Sequence, residues 1–334
     1  MTTCIFRSPF APRLQAFLEM RRALGRKGVS DQKILRYIDQ FLIGVLKPGQ
    51  PITQEIVNQW VRSIEPLSIG TRINRVSIFR QFCRYLRHFD SRTCLIHGGF
   101  LPKRTRPAPY IYTRNQIRVI MAAAKRIGPK GSLRPMAIFT LVGLLYNTGL
   151  RISEALKLTL GDVDLKRKLL LIRQTKFKKS RLIPLSASTT GAMRAFLERR
   201  RVAGFSIVRT APVFVSPHKM ANGRPYGYTT VCQTFLEIVR REKIRGPAGE
   251  RGPRVHDLRH SFAVQRLAKW YRAGAVISAK LPLLSTYLGH ASLIGTEVYL
   301  QATAQLLEEA NKRFRNHFAL PCSRLMPRED DHVQ

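Results

Sequence analysis

The stretch from His97 to Pro109 limits the folds open to this chain more than any other. It carries three prolines, three basic residues and no apolar periodicity. Proline fixes φ and removes a backbone donor, so such a segment neither continues a helix nor joins the interior of a sheet. It reads as an extended connector. With 334 residues, 44% of them hydrophobic, the chain is long enough to build a core on each side of it. The expected division is an N-terminal helical domain at 1–105, a linker at 106–112, a larger domain at 113–318 and a disordered tail at 319–334.

Ahead of the connector, apolar residues recur at helical spacing in four segments. The first holds Leu14, Phe17, Leu18 and Leu24. The second holds Ile34, Ile38, Phe41, Leu42 and Val45 behind an expected cap at Ser30, and the third Ile56, Val57, Trp60 and Val61 behind Thr53. The fourth opens at Ser68 and lines up Ile73, Val76, Phe79, Phe82, Cys83 and Leu86, with Arg72, Arg75, Arg80, Arg84 and Arg87 around the rest of its surface.

Beyond the connector, Thr113 caps a helix, and residues 134–146 form a buried one. Two apolar runs, 169–173 and 181–185, read as the strands of a hairpin with a basic tip at Gln174 to Ser180. A helix at 186–203, a short extended piece at 212–216, a helix at 228–242 and a basic Gly/Pro-rich loop at 246–253 follow. A tail helix carries Leu306, Leu307, Ala310 and Phe314. The expected fold class is mainly α with a small antiparallel sheet.

Charge narrows the partners. Lys and Arg number 58 against 20 Asp and Glu, a net +38 spread along the whole chain, which points to a polyanion. Arg72, Arg75 and Arg80, Lys103 and Arg104 in the connector, and Lys178 and Lys179 at the hairpin tip are the expected contacts with a phosphate backbone. The longest apolar run, Met136 to Tyr146, has 11 residues, whereas a membrane span needs about 20. The first residues lack the apolar core of a signal peptide. Five scattered cysteines (Cys4, Cys83, Cys94, Cys232 and Cys322) form no Cys-x-x-Cys pair. Neither a zinc site nor a disulfide framework is expected, and a reducing compartment, the cytoplasm, fits. No metal and no cofactor is implied.

Four short boxes then carry the chemistry. Thr148-Gly149-Leu150-Arg151-Ile152-Ser153-Glu154 places an arginine after a glycine turn at the start of a helix, where unpaired N–H groups collect anions. His256-Asp257-Leu258-Arg259-His260 puts a histidine and an arginine on adjacent turns of one helix. Leu288-Gly289-His290 comes next, with Tyr299 nine residues after that histidine. Lys176 sits in the hairpin tip between the two arginine boxes.

In order and local context these residues resemble the active site of the tyrosine recombinases, the phage-integrase-like family. That resemblance implies a helical, SAM-like core-binding domain and a catalytic domain closing as a C-shaped clamp on double-stranded DNA. It makes Tyr299 the nucleophile of a 3′-phosphotyrosine intermediate, with Arg151 and Arg259 on the non-bridging oxygens. His256 becomes the general base, His290 a hydrogen-bond donor to the phosphate, and Lys176 the proton donor to the leaving 5′ oxygen. The family's hairpin pattern, Gly-Lys-Gly-x-Lys-x-Arg, has Thr175 and Phe177 here in place of its glycines. Lys178 or Lys179 therefore stays open as the lysine that reaches. Glu154 supports Arg151, and His260 supports the site without a chemical role of its own.

The resemblance also implies strand exchange through a Holliday junction by four protomers. The tail helix, 302–316, would dock on a neighbouring protomer, and related recombinases or accessory proteins are further expected partners, in the cytoplasm at the nucleoid. No extra arm-binding domain is expected ahead of the first helix. Two other functions share part of this residue set: a catalytically silent DNA-binding accessory protein, and a type IB topoisomerase-like enzyme that relaxes DNA without exchanging partners.

Overall fold

The structure, a computed structural model, describes residues 5–25, 29–97, 109–129, 131–173, 180–216, 223–246, 252–290, 292, 294–297 and 299. The chain divides into two compact units, Met1–Arg106 and Pro107–Gln334.

The first unit is built from α1 (Ala11–Ala23), α2 (Val29–Val45), α3 (Gln54–Ser63) and α4 (Ile69–Arg87). Thr53 and Ser68 cap α3 and α4, their hydroxyls accepting from the backbone N–H groups of Ile56 and Thr71. The cap expected at Ser30 is corrected, because α2 already includes Val29 and Ser30 lies inside its first turn. There the negative charge of Asp31 meets the positive end of the helix, and its carboxylate accepts from Arg21 Nε at 2.7 Å. The apolar stripes converge on an aromatic core in which Phe17 packs 5.5 Å from Phe82 and Trp60 lies 5.7 Å from Phe79. Fully burying each such side chain contributes roughly 1.5–3 kcal/mol.

The second unit carries α5 (Arg114–Ala124), α6 (Arg134–Thr148), α7 (Ile152–Ala155), a 3₁₀ turn at Leu160–Asp162, then β1 (Val163–Asp164), β2 (Leu169–Ile172) and β3 (Arg181–Pro184). It continues with α8 (Ala187–Val202), α9 (Tyr228–Arg241), α10 (Asp257–Arg272), α11 (Ile277–Leu288) and α12 (Ile294–Glu297). Thr113 and Gln116 cap α5 reciprocally: Gln116 N–H donates to Thr113 Oγ1 at 3.2 Å and Thr113 N–H to Gln116 Oε1 at 2.9 Å. The sheet is antiparallel in the order β1-β2-β3, with Leu170 opposite both Val163 and Ile183. Leu170, Ile172 and Ile183 point into the core, so pairing and burial fix the same register. The piece at 212–216 is extended but joins no strand ladder, pairing only through the bridges Thr159–Pro212 and Val215–Pro225.

Two helix ends define the centre of this unit. Both α6 and α11 stop at a left-handed glycine, Gly149 at φ +63° and Gly289 at φ +68°, a conformation open to glycine at no steric cost. The middle helix, α10, packs against both α6 and α11.

Candidate active site

Arg259 bridges those two helix ends. From α10 its Nη1 donates to the Gly149 carbonyl at 2.7 Å and its Nη2 to the Leu288 carbonyl at 2.7 Å. The side chain is 2% exposed and, among the described residues, forms no salt bridge with a carboxylate. Its charge is stabilised instead by the negative ends of two helix dipoles. Burial, and then the neighbouring Arg151, push its pKa down to about 10, so it stays protonated at neutral pH.

The C-terminal end of α11 seats three guanidinium groups on three consecutive carbonyls. Tyr287 O accepts from Arg181 Nε at 2.9 Å, Leu288 O from Arg259, and Gly289 O from Arg151 Nη2 at 2.9 Å. Among the described residues, a single carboxylate stands beside them. Glu154 Oε1 accepts from Arg151 Nη1 at 2.9 Å and Arg181 Nη1 at 3.3 Å, and its Oε2 from Arg151 N–H at 3.0 Å and Arg181 Nη2 at 2.8 Å. Burial alone would raise the pKa of Glu154; the arginine contacts reverse that and hold it below the usual carboxylate range. The expectation that a helix N-terminus helps Arg151 collect an anion is corrected. Its helix, α7, has four residues, and the N–H of Arg151 is already taken by Glu154. Side-chain charge, not a helix end, makes this site electropositive.

Next to these cations lie three histidines and Tyr299. The phenol ring is 3% exposed, with His260 at 5.4 Å and His290 at 6.1 Å, ring centre to ring centre. His256 meets His260 edge-on at 4.9 Å. His290 Nδ1 is 2.7 Å from Thr296 Oγ1. Burial, and then Arg259 and Arg151, lower the pKa of His290 to about 4. Burial followed by His256 lowers that of His260 to about 3. His256 keeps solvent exposure, yet the protein packed around it, and then Arg259, draw its pKa below the usual 6.5. His260 and His290 are therefore neutral at pH 7, and His256 is drawn toward its neutral form. Burial raises the phenol of Tyr299, while Arg259 and then Arg151 pull it part of the way back.

The loop before α10 is tied down as firmly. Asp257, fully buried, accepts from Arg254 N–H at 2.8 Å and Arg254 Nη2 at 2.9 Å, which fixes the backbone on both sides of His256. Ser261 Oγ donates to the Asp257 carbonyl and accepts from Tyr112 N–H, both at 2.8 Å.

Of the residues expected from sequence, the structure brings together Arg151, Glu154, His256, Arg259, His260, His290 and Tyr299. The hairpin tip with Lys176, Lys178 and Lys179, the connector residues Lys103 and Arg104, and the tail helix 302–316 lie outside the described residues. On α4, Arg75 stacks on Tyr37 at 3.9 Å and Arg80 Nη2 donates to the His97 carbonyl at 2.9 Å; these two and Arg72 are half-buried. Sequence reasoning missed Arg181, although it fills the final arginine position of the hairpin pattern. It also missed Thr296 and the three carbonyls of the α11 end.

With this geometry in place, comparison with known proteins is unambiguous. The model of the phage integrase family matches residues 111–305. A Sinorhizobium fredii protein described as integrase/recombinase y4rB is 35% identical over 315 residues, covering 93% of this chain and 98% of that one. The tyrosine recombinase XerD of Halalkalibacterium halodurans is 25% identical over 314 residues, 90% of this chain and 96% of XerD. Among solved structures, the XerH site-specific recombinase bound to its difH substrate superposes with a TM-score of 0.66 at 19% identity, over 92% of this chain and 85% of that one. The Tn1549 transposon integrase in complex with a circular intermediate DNA does so with a TM-score of 0.65 at 18% identity, over 90% and 99%. This chain belongs to the phage integrase family, the tyrosine-type site-specific recombinases that break and rejoin DNA.

Proposed function

We propose that this chain cleaves and rejoins double-stranded DNA through a 3′-phosphotyrosine bond on Tyr299. The observation that supports it best is the charge around that phenol: three seated guanidinium groups, Arg151, Arg181 and Arg259, stand beside one carboxylate, Glu154, which only Arg151 and Arg181 touch. A half-buried cluster with a surplus of fixed positive charge is stabilised by an anion, and a phosphodiester carries the matching charge and paired oxygens.

In the first step Tyr299 gives its proton to the neutral ring of His256, and the phenolate attacks the phosphorus. Arg151 and Arg259 hold the non-bridging oxygens and offset the charge that grows on them. When Thr296 Oγ1–H donates to His290 Nδ1, the proton of that neutral ring sits on Nε2, where it can donate to a phosphate oxygen. The bond to the 5′ oxygen breaks, and that oxygen takes a proton from the hairpin lysine, Lys176, with Lys178 and Lys179 as the alternatives. Attack by another strand's 5′ hydroxyl on the phosphotyrosine reverses each transfer, so the bond energy is kept and no ATP is needed.

On this reading, residues 1–105 form the core-binding domain and 113–318 the catalytic one, with 106–112 as the linker between them. Four protomers, linked by the tail helix 302–316, exchange strands through a Holliday junction, in the cytoplasm at the nucleoid of a cell whose mobile element the chain serves. Among the described residues, no helix is long and apolar enough to cross a membrane.

Covalent capture from a random pool of nicked duplexes, in EDTA, tests this. The expected result is a DNA-linked peptide whose modified residue maps to Tyr299, together with joined recombinant products. Tight binding without a covalent species would favour an accessory DNA-binding protein instead. Relaxation of supercoiled DNA without partner exchange would favour a topoisomerase.

A further inference from the structure

Of its three hydrogen bonds among the described residues, Arg181 gives two to Glu154 and the third to the Tyr287 carbonyl, none of them to Tyr299 or the histidines. Its side chain is 12% exposed, and its guanidinium lies against the chain turn at Gly289, where an added Cβ would sit 2.8 Å from Nη1. Resting on the proposed function, we infer that Arg181 is a positioning residue that keeps Arg151 available, as a net cation, to the scissile phosphate.

Charge balance around Glu154 gives Arg181 this role. Glu154 touches Arg151 at two points and Arg181 at two. Were Arg181 absent, Arg151 and Glu154 would form a closed neutral pair, and an arriving phosphodiester would meet a carboxylate with no cation assigned to it. With Arg181 present, the trio carries one net positive charge. The second guanidinium occupies the side of the carboxylate that Arg151 leaves free and fixes its rotamer. Meanwhile Arg151 is held from its other edge by the Gly289 carbonyl, which leaves its remaining donors for the phosphate oxygens. The Nε bond to Tyr287 O sets where Arg181 sits relative to the α11 end.

A purely structural role for Arg181 would make three distinct predictions fail, so substitutions that separate charge from packing decide the matter. The substrate is the nicked duplex captured by the wild-type chain, in its natural form and with a neutral methylphosphonate at the cleaved position. On the natural duplex, Arg181→Ala should slow single-turnover cleavage on the order of 10- to 100-fold, less than the roughly 10²–10³-fold lost with a donor that itself touches the transition state, with duplex affinity held near wild type. Arg181→Lys, which keeps the charge, should fall between the two. Adding Glu154→Gln to Arg181→Ala should recover rate, because removing the carboxylate frees Arg151 again. On the methylphosphonate duplex the defect of Arg181→Ala should shrink, because the charge it serves is gone.

Arg151→Ala on the same two duplexes separates the two levels of the argument. A defect in Arg151→Ala that is equally large on both duplexes would overturn the proposed role of Arg151 itself. If Arg151→Ala is relieved by the neutral phosphate but Arg181→Ala is not, the inference about Arg181 fails alone. It also fails if the double variant Arg181→Ala/Glu154→Gln is slower than Arg181→Ala.

Discussion

A methyl group added at Gly149 would strike the seat of Arg259 directly. Gly149 has φ +63°, where an L-residue is strained, and its new Cβ would lie 2.5 Å from Phe262 Cδ1 and 3.0 Å from Leu288 Cδ2. Phe262 is 7% exposed and stacks on Tyr287 at 5.6 Å, so its ring has little room to turn away. The left-handed backbone costs roughly 1–2 kcal/mol for a residue with a Cβ, and forcing a methyl into a packed core adds about 1–3 kcal/mol. Gly149→Ala should therefore destabilise the second unit by about 2–5 kcal/mol. Gly204 supplies the control, since it has φ +79° with nothing within 4 Å of its added Cβ, so Gly204→Ala isolates the backbone contribution. Urea unfolding followed through Trp270, with Trp60 replaced by Phe, reads the second unit separately. Because the Gly149 carbonyl also holds Arg259, cleavage should fall with stability in Gly149→Ala and stay near normal in Gly204→Ala. Equal destabilisation by the two substitutions would refute the claim that the arginine seat is rigidly packed.

Other consequences are as definite. The imidazole of His260 is lowered to about 3 in the folded chain, against about 6.5 for a free histidine. Between these values the unfolded chain binds the extra proton, so stability is full above about pH 6.5 and falls as the pH drops toward 3, at up to about 1.4 kcal/mol per pH unit. His260→Phe should flatten the urea midpoint against pH between 6.5 and 4.5; an unchanged slope would remove His260 as the cause. Lysine cannot span the Gly149 and Leu288 carbonyls together, so Arg259→Lys should cut single-turnover cleavage roughly 10²–10³-fold; a near-normal rate would show that a point charge suffices there. If α4 lies along a phosphate backbone, Arg72→Ala, Arg75→Ala and Arg80→Ala should each lower the slope of log affinity against log salt by about 1. A slope that does not move would assign Arg75 to Tyr37 stacking and Arg80 to the His97 carbonyl, and would remove all three from the phosphate contacts.

The elements with strong local signals were legible from the chain. Thr53, Ser68 and Thr113 mark helix starts because a short hydroxyl side chain reaches the backbone of its own first turn, and Gly149 marks a stop because its left-handed φ suits only a residue without Cβ. The hairpin strands showed in their apolar runs. Ser30 misled because a hydroxyl in the first helical turn looks the same in sequence as one at the cap, and only the backbone tells them apart. Strand β1, two residues long, is too short for any periodicity. Of the site, the residue types were readable but not their attachments. The three arginine and histidine boxes are local patterns, whereas the α11 carbonyls that seat Arg151, Arg181 and Arg259 are backbone groups reached across separations of 138, 106 and 29 residues. A sequence shows a donor far more readily than a carbonyl acceptor, which every residue has. Arg181 was hidden for the same reason: its role lies in the carboxylate it shares with Arg151, visible only once β3 and α7 come together.

Two labelled duplexes bearing the captured site, with flanks of different length, test the central claim most directly when incubated with the wild-type chain and with Tyr299→Phe. The account predicts a protein-linked strand and duplexes of exchanged length with wild type, and neither with Tyr299→Phe, which should still bind both duplexes. Exchanged duplexes formed by Tyr299→Phe would contradict it.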